Sequence, residues 1–115
     1  MENGRWRTLH AALAALPAGS WTTYSDAAVL MGSAPMAVAT HLANTAGVTN
    51  AHRVLRSDGT PSPEFHWVDR EDDRDIYEVL KQEGVQFDES GVADSDQRQS
   101  VEDLAQLADE YLGSE

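Results

Sequence analysis

The chain has 115 residues, the size of one ordinary domain, and no cysteine, which removes disulfide frameworks, thiolate nucleophiles and cysteine-based zinc sites together. Its 41% apolar residues suffice for a single core, while 20 acids against 8 bases give a formal net charge of -12, a balance that argues at first against nucleic acid. No apolar run reaches the roughly 20 residues of a membrane span, and Arg5, Arg7 and His10 interrupt any signal-peptide core, so a cytoplasmic, membrane-free protein is the expectation.

In chain order, Trp6, Leu9, Leu13 and Leu16 recur on one helical face, so residues 4 to 16 read as an amphipathic helix that Pro17, Ala18 and Gly19 end. Thr23 stands three residues before Asp26, a capping-box-like start for a short helix from Tyr24 to Met31 that Gly32 stops. Ser33 as cap and Pro35 in the first turn open a third helix to about Asn44. Two short helices joined by a glycine-containing turn make the helix-turn-helix pattern.

Arg53, Val54 and Leu55 then read as a strand, Ser57 to Gly59 as a turn and Phe65 to Trp67 as a return strand or extended loop, which together would form a wing. Asp72 or Asp73 can cap a helix running to Glu83, with Ile76, Val79 and Leu80 inward and Gly84 past its end. An acidic linker covers Asp88 to Asp96, and Val101, Leu104, Leu107, Ala108 and Tyr111 trace one more amphipathic helix. The expected fold is mainly α with a small β-hairpin: a winged-helix, helix-turn-helix-like domain over residues 1–87, followed by an acidic linker and C-terminal helix over 88–115.

The net charge is unevenly placed. Residues 1–57 sum to +2 and residues 58–115 to -14, so the motif-bearing half is mildly basic and the acidity belongs to the second half. Nucleic acid is therefore restricted to a narrow face rather than excluded. With so few bases there, the affinity should be low and the salt dependence shallow.

The order of these motifs resembles a known family. PAGSWTTYSDAAVLMG (Pro17 to Gly32) is similar to the segment opening the DNA-binding half of O6-alkylguanine-DNA alkyltransferases and of their catalytically inactive relatives, the alkyltransferase-like proteins. MAVATHLAN (Met36 to Asn44) falls at the family's recognition helix, NAHRVLRSDG (Asn50 to Gly59) at its active-site motif, and VLKQEGV (Val79 to Val85) at its closing helix. The resemblance covers about residues 5 to 87. It implies a helix-turn-helix that enters the minor groove and extrudes a damaged guanine, with Tyr24 at the tyrosine that pushes on the phosphate.

Three departures limit what the resemblance carries. The acceptor cysteine is replaced by Ala51, so alkyl transfer by the family mechanism is excluded and the chain sits nearer the alkyltransferase-like proteins. The arginine finger is replaced by Met36, which could wedge between bases but equally reads as core. The motif's proline is Asn50, and the recognition helix carries Ala39 and Thr40, with His41 beside them, in place of small glycines. His52 and Arg53 match the motif's His-Arg pair; without a thiol to activate, His52 reads as a histidine hydrogen-bonded to Glu83 and Arg53 as largely structural.

The residues assigned to DNA contact are Thr22, Thr23, Tyr24, Ser25, Met36, Thr40, Arg53 and Arg56; those assigned to a base pocket are Tyr24, Ala51, His52, Phe65, His66 and Trp67. Trp6 and Trp21 read as core. The four histidines lack metal-ligand spacing, and no metal, cofactor or catalytic residue is expected. The reading is a monomeric, non-enzymatic module that binds double-stranded DNA carrying an altered base, in repair or modified-DNA sensing. The alternative is a winged-helix relic that binds protein as an adaptor or regulator, or mimics DNA, through the acidic residues 88–115.

Overall fold

The structure, a computed structural model, describes residues 6–63, 65–69 and 71–113. Small alanines between large apolar residues let the first helix, α1 (Arg7–Ala14), approach its neighbours closely: Leu9, Ala11, Ala12 and Leu13 are all buried. Positions 4 and 5 of the expected helix lie outside the described residues. Next come a two-residue strand β1 (Thr22–Thr23), α2 (Tyr24–Met31), α3 (Pro35–Asn44), a 3₁₀ turn at Ala51–Arg53, strand β2 (Val54–Leu55), α4 (Ile76–Gln82), a second 3₁₀ turn at Ser95–Gln97 and α5 (Val101–Gly113).

The mainly helical fold agrees with the sequence reading, but the strands do not form a hairpin. β1 and β2 pair in parallel, Thr22 beside Val54 and Thr23 beside Leu55, and Phe65 to Trp67 lie in a loop without strand structure. The wing is therefore absent as a return strand, and the hydrogen bonds of β2 go to a segment some thirty residues earlier. Because successive strand residues face opposite sides, β2 serves two cores. Val54 belongs to the larger one, with α1, α2, α3 and α5; Leu55 belongs to the smaller, with Trp21, Leu80, Val85 and Ala93.

Residues 88–113 are built into this framework. The acidic linker is pinned by an antiparallel bridge between Phe87 and Ala93 and by the Ala93 amide donating to the Gly59 carbonyl. Residues 97–99 run parallel to the chain at Trp21: the Trp21 amide donates to Gln97 O, and the Gln99 amide donates to Trp21 O. The Trp21 indole donates to Asp94 O at 2.8 Å. Ser100 and Asp103 then cap α5 reciprocally, the Ser100 amide donating to the Asp103 carboxylate and the Asp103 amide to the Ser100 hydroxyl. α5 places Leu104 and Ala108 in the larger core, each essentially inaccessible to solvent. The change in composition at residue 88 is thus no boundary in packing. Tyr111, expected on the inner face of α5, is exposed, and Leu112 packs against the core instead.

Two glycines let the turn before β1 meet the end of α4. Gly19 and Gly84 both have positive φ, and a Cβ at Gly19 would stand 3.0 Å from the Gly84 carbonyl oxygen.

Candidate nucleic-acid interface

The helix-turn-helix is set by local chemistry. Thr23 is the N-cap of α2, its hydroxyl accepting from the Asp26 amide at 3.0 Å, and Gly32 ends the helix in the left-handed conformation. Pro35 opens α3; the cap is Ala34, with no side-chain bond, rather than Ser33. Arg98 reaches back from the C-terminal segment to pair with Asp26 at 2.7 Å, which ties that segment to the start of α2.

α3 presents two faces. Met36 and Thr40, one turn apart, are exposed; Met36 is 76% accessible, so it is not a core residue. His41 points the other way, toward α1, where it stacks on Trp6 with ring centroids 4.3 Å apart and shares a 2.8 Å Nε2···Nε2 contact with His10. Burial lowers the pKa of both histidines, and for His41 the neighbouring His10 lowers it further. His41 is therefore a packing residue between two helices and not part of the exposed face.

Residues 50–53 form a tight turn whose polar side chains are all held by other parts of the fold. Asn50 takes the left-handed conformation (φ 62°), which asparagine tolerates better than most residues, and its amide donates to Leu13 O at 2.8 Å. Ala51 and His52 then face the cavity described below. His52 Nε2 donates to the Glu83 carboxylate at 2.7 Å, as expected from the sequence. Arg53 Nε donates to the same carboxylate oxygen at 3.0 Å, and its Nη1 donates to Pro17 O. Burial alone would push the Glu83 carboxyl up, but the hydrogen bonds and charges of His52 and Arg53 together hold it below the usual carboxylate range.

Between α3 and the loop that follows β2 lies an open cavity of about 550 Å³. All six residues assigned to a base pocket line it: Tyr24, Ala51, His52, Phe65, His66 and Trp67. Met36 and Thr40 stand on its α3 side. Tyr24 is largely buried there, which raises the pKa of its hydroxyl. The loop side is aromatic. Phe65 meets Trp67 edge-on at 4.9 Å, His52 lies 5.3 Å from the Trp67 ring, and the Arg74 guanidinium covers that ring at 4.7 Å. The Trp67 indole donates to Arg74 O, and Arg74 pairs with Asp72 at 2.7 Å. Asp69 and Asp72 also border the cavity. Nothing in the sequence pointed to these two acids or to Arg74, since loop residues carry no periodicity that would show which way they face.

The remaining assigned residues are placed differently. Thr22 and Thr23 are fully buried; the Thr22 hydroxyl donates to Gln99 O, so neither threonine can reach a phosphate. Arg53 is only 7% accessible, with its guanidinium engaged inside the protein. Ser25 is exposed at the start of α2. Arg56 is exposed and held by Asp58 at 3.1 Å within a turn in which Thr60 donates twice to the same carboxylate group, lowering its pKa.

Fold and cavity together are those of a helix-turn-helix domain with an open, partly aromatic recess beside it. Residues 6–85 match the family profile of the 6-O-methylguanine DNA methyltransferase DNA-binding domain, and the chain belongs to that family. Its fold is similar to that in the crystal structure of S. pombe Atl1 in complex with damaged DNA containing O6-carboxymethylguanine, with a TM-score of 0.59 and 23% sequence identity over 81% of this chain and 86% of that one. No curated protein sequence matches the chain.

Proposed function

We propose that the chain is a non-enzymatic, alkyltransferase-like reader of a modified base in double-stranded DNA, acting in repair or in the sensing of modified DNA. The observation that carries this reading is the cavity: it joins the exposed face of α3 to an aromatic wall, and it is bordered by Ala51, the residue that the motif resemblance puts at the family's acceptor cysteine. With no cysteine anywhere in the chain, the recess can hold a base and has no thiol to accept an alkyl group. Atl1, the structural relative, is bound to DNA containing an O6-modified guanine.

In this reading α2 and α3 lie along the minor groove and the altered nucleotide rotates into the cavity. Flipping costs a few kcal/mol, least for a damaged or mispaired base. Stacking on Phe65 and Trp67 contributes on the order of 1–3 kcal/mol per base to offset it. Met36 supplies an apolar wedge for the vacated stack, as architectural minor-groove proteins do. Tyr24 lines the recess, and the phosphate contacts fall to Ser25, Thr40 and Arg56. Thr22, Thr23 and Arg53 take no direct part because their polar groups are spent inside the fold.

A fluorescence-polarisation titration of the full chain with matched duplexes containing O6-methylguanine or unmodified guanine tests the proposal. The modified duplex should bind more tightly, and Tyr24→Ala should remove most of the difference. Equal binding of the two duplexes at low salt, unchanged by Tyr24→Ala, would overturn it.

A further inference from the structure

We infer that the cavity prefers a modified base bearing positive charge and rejects an anionic adduct, an inference that rests on the base-reading role proposed above. The site is the aromatic recess itself; its selectivity follows from the charges on its rim. Among the described residues that line it, the ionised side chains are Asp69 and Asp72, with no lysine or arginine. In sequence, residues 62–74 hold five acids and two bases, so the net charge of the loop is negative with Arg70 and Arg74 both counted.

The net charge at the rim is that of Asp69, since Asp72 is neutralised by Arg74. The Arg74 guanidinium is bound by both oxygens of Asp72 and lies against the Trp67 ring at 4.7 Å. The same contact shows the character of the wall: the electron-rich face of this tryptophan already holds a cation. Asp69 uses one carboxylate oxygen to accept the Glu71 amide, leaving an exposed acidic oxygen at the rim. The polar uncharged residues around the recess, Thr40, Asn44, Thr45 and Ser62, offer no positive charge to an anionic group. A flipped guanine whose O6 substituent ends in an ammonium, or whose ring is made cationic by N7 alkylation, would meet carboxylates and π-faces. A carboxymethyl substituent would meet like charge.

The test uses the full chain and four duplexes of one sequence that differ only in the central guanine: unmodified, O6-methyl, O6-(2-aminoethyl) and O6-carboxymethyl. Because the phosphate backbone is common to all four, its repulsion from the acidic protein cancels in the ratios. At low salt the aminoethyl duplex should bind about tenfold more tightly than the methyl one, and the carboxymethyl duplex more weakly by a similar factor, the size expected for one charge pair near a protein surface. Raising the salt should compress the series. Asp69→Asn, an exposed and conservative change, should narrow it, and Asp72→Asn should do the same if its circular dichroism shows the fold intact. Methyl-duplex binding with carboxymethyl bound equally or more tightly overturns the charge preference and leaves the base-reading role standing. Failure of all three modified duplexes to exceed the unmodified one overturns that role and the preference with it.

Discussion

The two walls of the cavity are held in place by different means. The helical wall, α2 and α3, stands on the larger core, where Ala27, Ala28, Val38 and Leu42 pack against α1 and α5. The loop wall, residues 62–74, puts little into either core and is held by polar and aromatic contacts of its own: Trp67 to Arg74, Arg74 to Asp72 and Phe65 to Trp67. In the proposed reading the helical wall docks in the groove. Its partner carries the charge and the aromatic surface, and because it lies outside both cores, substitutions there should cost the fold less than substitutions in α2 or α3.

The largest expected effect comes from breaking the helical wall at its support. Leu104 is fully buried in α5, outside the segment that matches the family. Leu104→Ala should cost about 2–5 kcal/mol, the range for deleting a buried leucine side chain, and chemical denaturation measures it directly. A cost near zero would mean that the C-terminal helix is an appendage. Next in size is the loop wall: Trp67→Ala should weaken binding of an O6-methylguanine duplex by about tenfold or more, from the loss of stacking worth on the order of 1–3 kcal/mol, while affinity for the unmodified duplex stays within about twofold. Equal loss for both duplexes would assign Trp67 to general docking.

The same division explains what could be read in the sequence. Both helices of the helix-turn-helix were legible because Thr23, Gly32 and Pro35 act locally, each satisfying or terminating the backbone within one turn. The His52–Glu83 bond was expected from the order of motifs and is present, and the six residues that the same order assigned to a pocket line one cavity. The parallel pairing of β1 with β2 was not legible: two-residue strands have no measurable alternation, and nothing local names a partner so distant in the chain. The cap of α4 is Asp75, which accepts the Glu78 amide; Asp72 was an equally good candidate by residue type, but its carboxylate is taken by Arg74. Thr22 read as a surface hydroxyl because composition does not show that a backbone carbonyl waits for it in the interior, and Thr23, legible as a cap, gave no sign of being buried. Net charge misled about residues 88–113 for a related reason: acids can cover the outer face of a helix whose inner face is core.

A smaller effect is expected at Glu83, which ties the end of α4 to the turn at Ala51–Arg53. Its carboxylate serves both His52 and the buried Arg53. Glu83→Gln keeps the shape and one acceptor oxygen but removes the charge, and should cost about 1.5–3 kcal/mol, the range for hydrogen bonds to charged groups. The partial exposure of Glu83 keeps the figure toward the lower end. Thermal unfolding at neutral pH measures it; a variant as stable as the parent would show that Arg53 is satisfied by Pro17 O alone.

The smallest effect is a pH dependence confined to the helical wall. His10 and His41 join α1 to α3 through a 2.8 Å contact between their Nε2 atoms, which requires one nitrogen to donate and the other to accept. Burial lowers both pKa values in the folded protein below the 6.5 of a free histidine, with His10 adding to the effect on His41. As pH falls through the unfolded value the unfolded chain binds protons that the folded chain does not, so the free energy of unfolding decreases. Full stability is present above about pH 6.5, is lost as pH falls toward the folded values, and levels off below them. Glu83, also lowered, acts in a separate and more acidic window, beneath the 4.5 of a free glutamate. Unfolding midpoints measured from pH 8 to pH 5 should therefore decline for the parent and decline less for His41→Gln, which keeps a side chain able to bond His10 and does not titrate. Identical slopes for the two proteins would place the pH dependence outside this pair of helices.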